Sequence, residues 1–276
     1  MDIGEAVNVA IIVSLGHENH SEETCAFHSK GEPESKENTF SDEGDMDALE
    51  ISGLEEAGIA HKNCAAKLGS SLEGKGYSQV STSVVVPGIS PALPVHTAAH
   101  HLIPGNASLK ESAIMSYLHQ EGMAAGNIGY NINNSENGCW LPGNYALRGE
   151  HGLAKWGPEG TGFQAKYGQP PKAYAFAAIE ATQRQFHDAH GDYSDFVLET
   201  LDLLAKKFDK TRDLWCPEAK NQPSDPKKRE IMGLVARLNT TSLRMQSMLI
   251  GLNWKKNIYT SRFSREFMEE RSKGGA

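Results

Sequence analysis

The sequence predicts an α+β fold that is mostly helical. Two observations point there. Apolar residues recur at helical spacing from Lys172 almost to the C-terminus. Upstream, the runs around Val84-Val85-Val86, His100-His101 and Ile128–Ile132 are short, rich in β-branched residues and bounded by Pro or Gly, the pattern of short strands.

Residues 14 to about 50 are rich in Glu, Ser, Asp, Asn and Gly and read as disordered or loosely folded. Within them, His17, His20, Cys25 and His28 are spaced closely enough to ligate zinc. Their spacing matches no standard module, and a polar, histidine-rich tail is the favoured reading. A helix is expected over Leu49–Leu68, then a strand over Tyr77–Val86. Pro87, Pro91 and Pro94 interrupt the chain before the extended His100-His101 segment, which Pro104 closes. Asn106 or Ser108 is placed to cap a helix over Leu109–Glu121, with Ile114, Met115 and Leu118 on its apolar face and Gly122 at its end. Ile128–Ile132 reads as a second strand leading into a turn at Asn137-Gly138.

Residues 143–171 are rich in Gly and Pro and read as a long loop, a feature that in a compact body tends to be functional. A helix is expected from Lys172 to the region of Gln185–His190, and a second over Ser194–Phe208 with Phe196, Val197, Leu201, Leu204 and Phe208 as its stripe. Gln222–Asp225 reads as a turn. An amphipathic helix follows over Lys228–Leu252, with Leu234, Leu238, Met245 and Leu249 among its inward residues. A short charged helix is expected over Tyr259–Lys273.

At 276 residues the chain is long enough to bury a substantial core in one or two domains. No apolar run approaches the roughly 20 residues needed to span a bilayer, so no membrane partner is expected. Asp2 and Glu5 precede the short apolar stretch Val9–Val13, which argues against a cleaved secretory signal. Four cysteines are scattered without a paired C-x-x-C, so a reducing cytoplasm is expected. The net charge of −8 is unevenly spread. Residues 1–60 hold 15 acidic and 2 basic side chains, a balance of −13; the other 216 hold 20 acidic and 25 basic, a balance of +5. The body is therefore mildly basic, as phosphate binding asks.

Two adjacent histidines stand out. An extended backbone points successive side chains to opposite faces, so His100 and His101 can serve two jobs at one place. Imidazole is the commonest metal ligand and a natural general base near neutral pH. Further on lie Asn137-Gly138-Cys139-Trp140-Leu141-Pro142 and His187-Asp188-Ala189-His190-Gly191-Asp192-Tyr193. Ala-His-His followed by Leu-Ile-Pro, then Asn-Gly-x-x-Leu-Pro, then His-x-x-His-x-x-Tyr resembles the AHH family of the HNH/endonuclease VII nucleases. The resemblance covers roughly Thr97 to Leu204.

The resemblance implies a ββα-metal core, here split by insertions and surrounded by helices. It implies phosphodiester hydrolysis, DNA favoured over RNA, with a divalent ion (Mg, Mn, Ni or Zn). It makes His101 the general base and His100 a metal ligand, with His187 and His190 as further ligands. On a helix, those two histidines, three apart, would face one ion. Asn137 would brace the hairpin, although Asn-Gly is equally a tight-turn dipeptide. Because the motif is split, His151 competes with His190 to complete the metal site. Arg148, His151, Lys155 and Lys166 on the long loop form a candidate wall for nucleic acid.

Members of that family are often toxin modules of bacterial effector systems. The resemblance thus implies delivery by a route such as type VI secretion, action in the target-cell cytoplasm, a cognate immunity protein and a secretion adaptor. The expected organisation is an acidic N-terminal region over 1–75 with one helix, a nuclease domain over 76–212 and a packed C-terminal helical extension over 213–276. Two other readings stand beside this one: a binding or adaptor protein that keeps the fold without catalysis, and a zinc-binding module built on residues 17–28.

Overall fold

The computed structural model describes residues 38–40, 64–118, 128–147, 161–188, 191–215, 234–252, 254 and 258–274. Its class is α+β, mostly helical. Helix α1 (Cys64–Gly74) is followed by strands β1 (Ser81–Val84) and β2 (Leu93–His101). Strand β3 (Gly138–Pro142) comes next, then helices α2 (Thr161–Tyr167), α3 (Pro171–Thr182), α4 (Gly191–Trp215), α5 (Leu234–Leu249) and α6 (Arg262–Gly274). The strands form one antiparallel sheet in the order β1-β2-β3. Two units are distinguished. One draws on Met1–Phe40, Leu109–Asn131 and Leu198–Arg237, the other on Ser41–Ser108, Ile132–Val197 and Leu238–Ala276.

The second unit holds the sheet. In β2 the side chains of Leu93, Val95 and Thr97 are buried on one face, the period-two pattern of a half-covered strand. Leu93 and Val95 join Val84, Phe163, Tyr174, Ile179, Phe186, Phe263 and Phe267 in one apolar core. Tyr174 donates its hydroxyl to the Pro94 carbonyl, 2.9 Å away, tying α3 to β2. Burial holds its phenol above the ordinary tyrosine range, so it stays a donor.

On the hairpin end of the sheet, α1 packs through Leu68 and Leu72 against Trp140 and Ala99. Fully burying each leucine is worth about 1.5–3 kcal/mol. Approach is close at Gly138, where an added Cβ would lie 2.7 Å from the Leu68 side chain.

In the other unit, Asn38 accepts the N–H groups of Gly129 and Tyr130 and donates to the Leu118 carbonyl. Asp202 accepts the Ala113 N–H at 2.8 Å. Tyr117 stacks on Phe208 with ring centroids 5.4 Å apart, and the Arg237 guanidinium lies over the same Phe208 ring.

Several expected elements differ. The helix over Leu109–Glu121 is replaced by a wide turn at Gly105–Leu109 and a 3-10 helix at Ala113–Tyr117. Ser112 breaks the helix between them, its hydroxyl returning to the Leu109 carbonyl. Ile128–Ile132 forms no ladder strand; it is held by isolated contacts, among them a parallel bridge from Asn131 to Thr39. The expected 143–171 loop contains α2, and α3 already begins at Pro171, a residue suited to a first helical turn. The helix expected to reach Gln185–His190 stops at Thr182, where Gln183 turns left-handed at φ 56°. Helix α4 runs longer than expected, to Trp215. Residues 1–37, most of the expected Leu49–Leu68 helix, and the Gln222–Asp225 turn lie outside the described residues.

Candidate active site

The site is built on the last turn of the β2–β3 ladder. His100 pairs with Cys139 and His101 with Gly138. Both imidazoles are nearly enclosed, with 5% and 8% of their surface exposed, so neither is an ordinary surface histidine.

Alternation sends the two rings apart, as an extended strand requires. His100 meets His187 and Tyr193. Its ring centroid is 4.8 Å from that of His187, at 62° between planes, and 5.4 Å from that of Tyr193. His101 turns to the other side, where its Nε2 lies 2.9 Å from the side-chain oxygen of Asn133.

His187 is not on a helix. It sits on a non-helical strap between α3 and α4 whose backbone is pinned residue by residue. The His187 N–H donates to the Pro142 carbonyl at the end of β3, 2.7 Å away. Gln185, fully buried, donates its amide to the carbonyls of Met248 and Ile258 and accepts from the N–H of Thr260. The Phe186 N–H donates to the Ser264 hydroxyl at 2.9 Å. The helix expected at His187 is therefore replaced by a strap; His190 lies outside the described residues.

Tyr193 enters from the first turn of α4. It is fully buried and its hydroxyl donates to the Leu102 carbonyl, 2.7 Å away. Burial, with Cys139 nearby, pushes its phenol well above the ordinary range and keeps the proton available for that bond. Cys139 is likewise buried, its thiol pushed up to about 12 by desolvation, so it is a neutral packing group rather than a thiolate. Arg184 donates to the Trp140 carbonyl at 2.7 Å and fixes the strap beside β3.

Asn137 occupies the centre of the scaffold with no exposed surface. Its amide donates to the carbonyls of Ile103 and Ile132, at 3.1 and 2.9 Å. Its oxygen accepts from the Ile103 N–H and the Ser242 hydroxyl, both at 2.8 Å. The Asn-Gly pair is not a tight turn: Gly138 is extended at φ −133°, and Asn137 ends a short 3-10 helix, Ser135–Asn137.

The remaining candidates are dispersed. Lys166 is on α2, exposed, with its ammonium 5.4 Å from the Tyr167 ring. Arg148, His151 and Lys155 lie outside the described residues. Sequence reasoning missed Asn133, one of several asparagines in an Asn131-Ile132-Asn133-Asn134 run. It also missed Ser242, for which a signal existed: Ser242 falls on the apolar stripe of α5 between Leu238 and Met245 and is fully buried.

A family model matches residues 89–214: AHH, a nuclease family of the HNH/ENDO VII superfamily with conserved AHH. This segment belongs to the AHH family. The AHH tripeptide is Ala99-His100-His101, at the end of β2. The AHH segment takes in β2, β3, α2, α3, the strap and nearly all of α4, whose first turn meets the end of β2 through Tyr193 and His100. Helices α1, α5 and α6 lie outside it. No curated protein and no solved structure matches.

The two facing imidazoles fit a divalent ion. Nitrogen ligands about 2.0–2.1 Å from one ion place imidazole centroids roughly 4.5–5.2 Å apart, and His100 and His187 stand at 4.8 Å. Among the described residues no group of three or more His, Cys, Asp or Glu is gathered for metal binding. Among those residues the AHH segment brings together two imidazoles, those of His100 and His187.

Proposed function

We propose that this protein is a divalent-metal-dependent nuclease that cuts phosphodiester bonds within DNA, with RNA as a second substrate. The observation that supports it most is the division of surroundings at the AHH pair. His100 faces a second imidazole, and His101 faces a neutral amide.

In this reading His100 and His187 hold the ion, with His190 or His151 completing the set. When bound, the ion supplies positive charge to the phosphate and the leaving oxygen. His101 accepts a proton from a water molecule as its oxygen attacks phosphorus. The phosphorus–O3′ bond breaks, and the departing oxygen takes a proton from solvent. Asn137 and Tyr193 touch no reacting atom in this scheme. They hold the backbone that directly follows the pair, at Ile103 and Leu102. Lys166, with Arg148, His151 and Lys155, is assigned to the nucleic-acid backbone.

Purified protein incubated with plasmid and with total RNA, with Mg²⁺ and with EDTA, tests this reading. Plasmid nicking and linearisation that EDTA stops is the expected result. Intact plasmid and RNA under every metal tried would leave a non-catalytic adaptor as the better account.

The biological setting we infer is an antibacterial effector that acts in a target-cell cytoplasm and is restrained by an immunity protein. The balance of −13 over residues 1–60 supports a docking role for that region toward a secretion adaptor. Asn38 is hydrogen-bonded to Leu118, Gly129 and Tyr130, and Leu68 of α1 packs on the hairpin, so a truncation that isolates this role must end before Asn38. Removing residues 1–37 is expected to leave cleavage in vitro within a few-fold and to weaken adaptor binding. A large activity rise, strongest at low salt, would instead make the acidic region a mask over the substrate groove.

A further inference from the structure

We propose that Asn133 is the positioning residue of His101: its side-chain oxygen holds the Nε2–H and so presents the Nδ1 lone pair to the attacking water. The inference rests on the reading of His101 as the proton acceptor. A neutral imidazole carries one N–H and one lone pair, and the hydrogen bond made at one nitrogen decides the role of the other. The Asn133 oxygen accepts but cannot donate. At 2.9 Å from Nε2 it selects the form protonated at Nε2. The proton from water then arrives at Nδ1, giving an imidazolium whose Nε2–H remains on Asn133.

The surroundings hold both ends of this bond. Asn133 and His101 are 4% and 8% exposed, so bulk water does not compete strongly for either partner. The backbone flanking Asn133 is tied on both sides to Asn137. The Ile132 carbonyl accepts from the Asn137 amide at 2.9 Å, and the Asn134 side-chain oxygen accepts the Asn137 N–H at 2.8 Å. The backbone next to His101 is tied to Asn137 as well, through the Leu102 N–H at 2.9 Å.

Helix α5 adds a second set of ties from outside the AHH segment. Asn239 accepts from the Asn134 amide at 3.1 Å, Ser242 donates to Asn137, and Gln246 donates to the Gly138 carbonyl at 3.2 Å. Positions 239, 242 and 246 share one helix face. A polar stripe on α5 thus locks the loop that carries Asn133.

The test reads the tautomer directly. In full-length protein with ¹⁵N-labelled histidine and no metal, long-range ¹H–¹⁵N spectra report which ring nitrogen bears the proton, and a His101→Gln variant assigns the signal. The expected wild-type state is protonated at Nε2. Asn133→Leu should lose that preference and slow cleavage about 10–100-fold, the usual cost of removing an orienting partner. Asn133→Asp, which keeps an acceptor oxygen, should restore the Nε2–H form. A wild-type proton on Nδ1, or a tautomer unmoved in Asn133→Leu, overturns the proposal. A shifted tautomer with unchanged cleavage also overturns it. If His101→Ala cuts at the wild-type rate, it is the functional reading that fails, and the spectra still show whether Asn133 sets the ring.

Discussion

His100 and His101 are neighbours in the chain and strangers in space. The face of His100 is aromatic and imidazole-rich, closed by His187, Tyr193 and the cross-strand Cys139. The face of His101 carries an asparagine oxygen and, along the same side of the ladder, the packed surface of α1 on Ala99 and Trp140. One face gathers two imidazole rings; the other holds a single ring in one orientation. The difference teaches that a dipeptide in an extended strand acquires two chemistries because each face of the ladder meets a different part of the chain. The strap at 184–188 supplies one, and the 132–138 loop supplies the other.

The sharpest way to break this comparison is at His101. His101→Ala is expected to lower plasmid cleavage by about 10²–10⁴, the usual worth of a general base. Far-ultraviolet circular dichroism should remain that of the wild type. Cleavage at the wild-type rate would remove His101 from the chemistry and leave the two faces without distinct roles.

Asn137 serves both faces, and its loss should cost stability before it costs anything else. Asn137→Ala leaves the Ile103 and Ile132 carbonyls, the Ile103 N–H and the Ser242 hydroxyl without their partner. Each buried group left unsatisfied costs about 1–3 kcal/mol, so urea unfolding should show a loss of roughly 3 kcal/mol or more. A change below about 1 kcal/mol would mean that the network is replaced by water at little cost.

A smaller effect isolates the His101 face. Gly138→Ala forces the Leu68 side chain off α1's contact, since the new Cβ would sit 2.7 Å from it. Overpacking of this kind costs about 1–3 kcal/mol. Thermal unfolding should show it, and metal affinity, which belongs to the other face, should be unchanged.

Part of this arrangement was legible in the sequence, for reasons that are local. Alternation in a strand needs no long-range information, so the opposed directions of His100 and His101 could be read from the β-branched run and the closing Pro104. Val197, Leu201 and Phe208 of the expected α4 stripe and Leu234, Leu238, Met245 and Leu249 of α5 follow from helical spacing and are buried, whereas Phe196 and Leu204 are only half-buried. What the sequence hid depends on distant partners. The end of α3 carries no glycine; Gln183 turns left-handed there because Gln185 and Arg184 find hydrogen bonds on Leu249, Thr260 and Trp140. That single turn takes His187 off the helix. The break at Ser112 likewise has its support far away, in Asp202. The run of asparagines at 131, 133 and 134 announced a polar loop, but only the fold separates Asn133, which meets a histidine, from Asn134, which meets α5.

The central claim is that the two faces divide the labour, and metal affinity tests it most directly. Titration calorimetry with Mn²⁺, Ni²⁺ or Zn²⁺ on wild type, His100→Ala, His187→Ala and His101→Ala compares the faces in one experiment. All-imidazole ligation favours these transition metals for measurable binding. The account predicts weakened binding in His100→Ala and in His187→Ala, a double variant little worse than either, and wild-type affinity in His101→Ala. Unchanged affinity in both His100→Ala and His187→Ala, or a loss in His101→Ala as large as theirs, would contradict it.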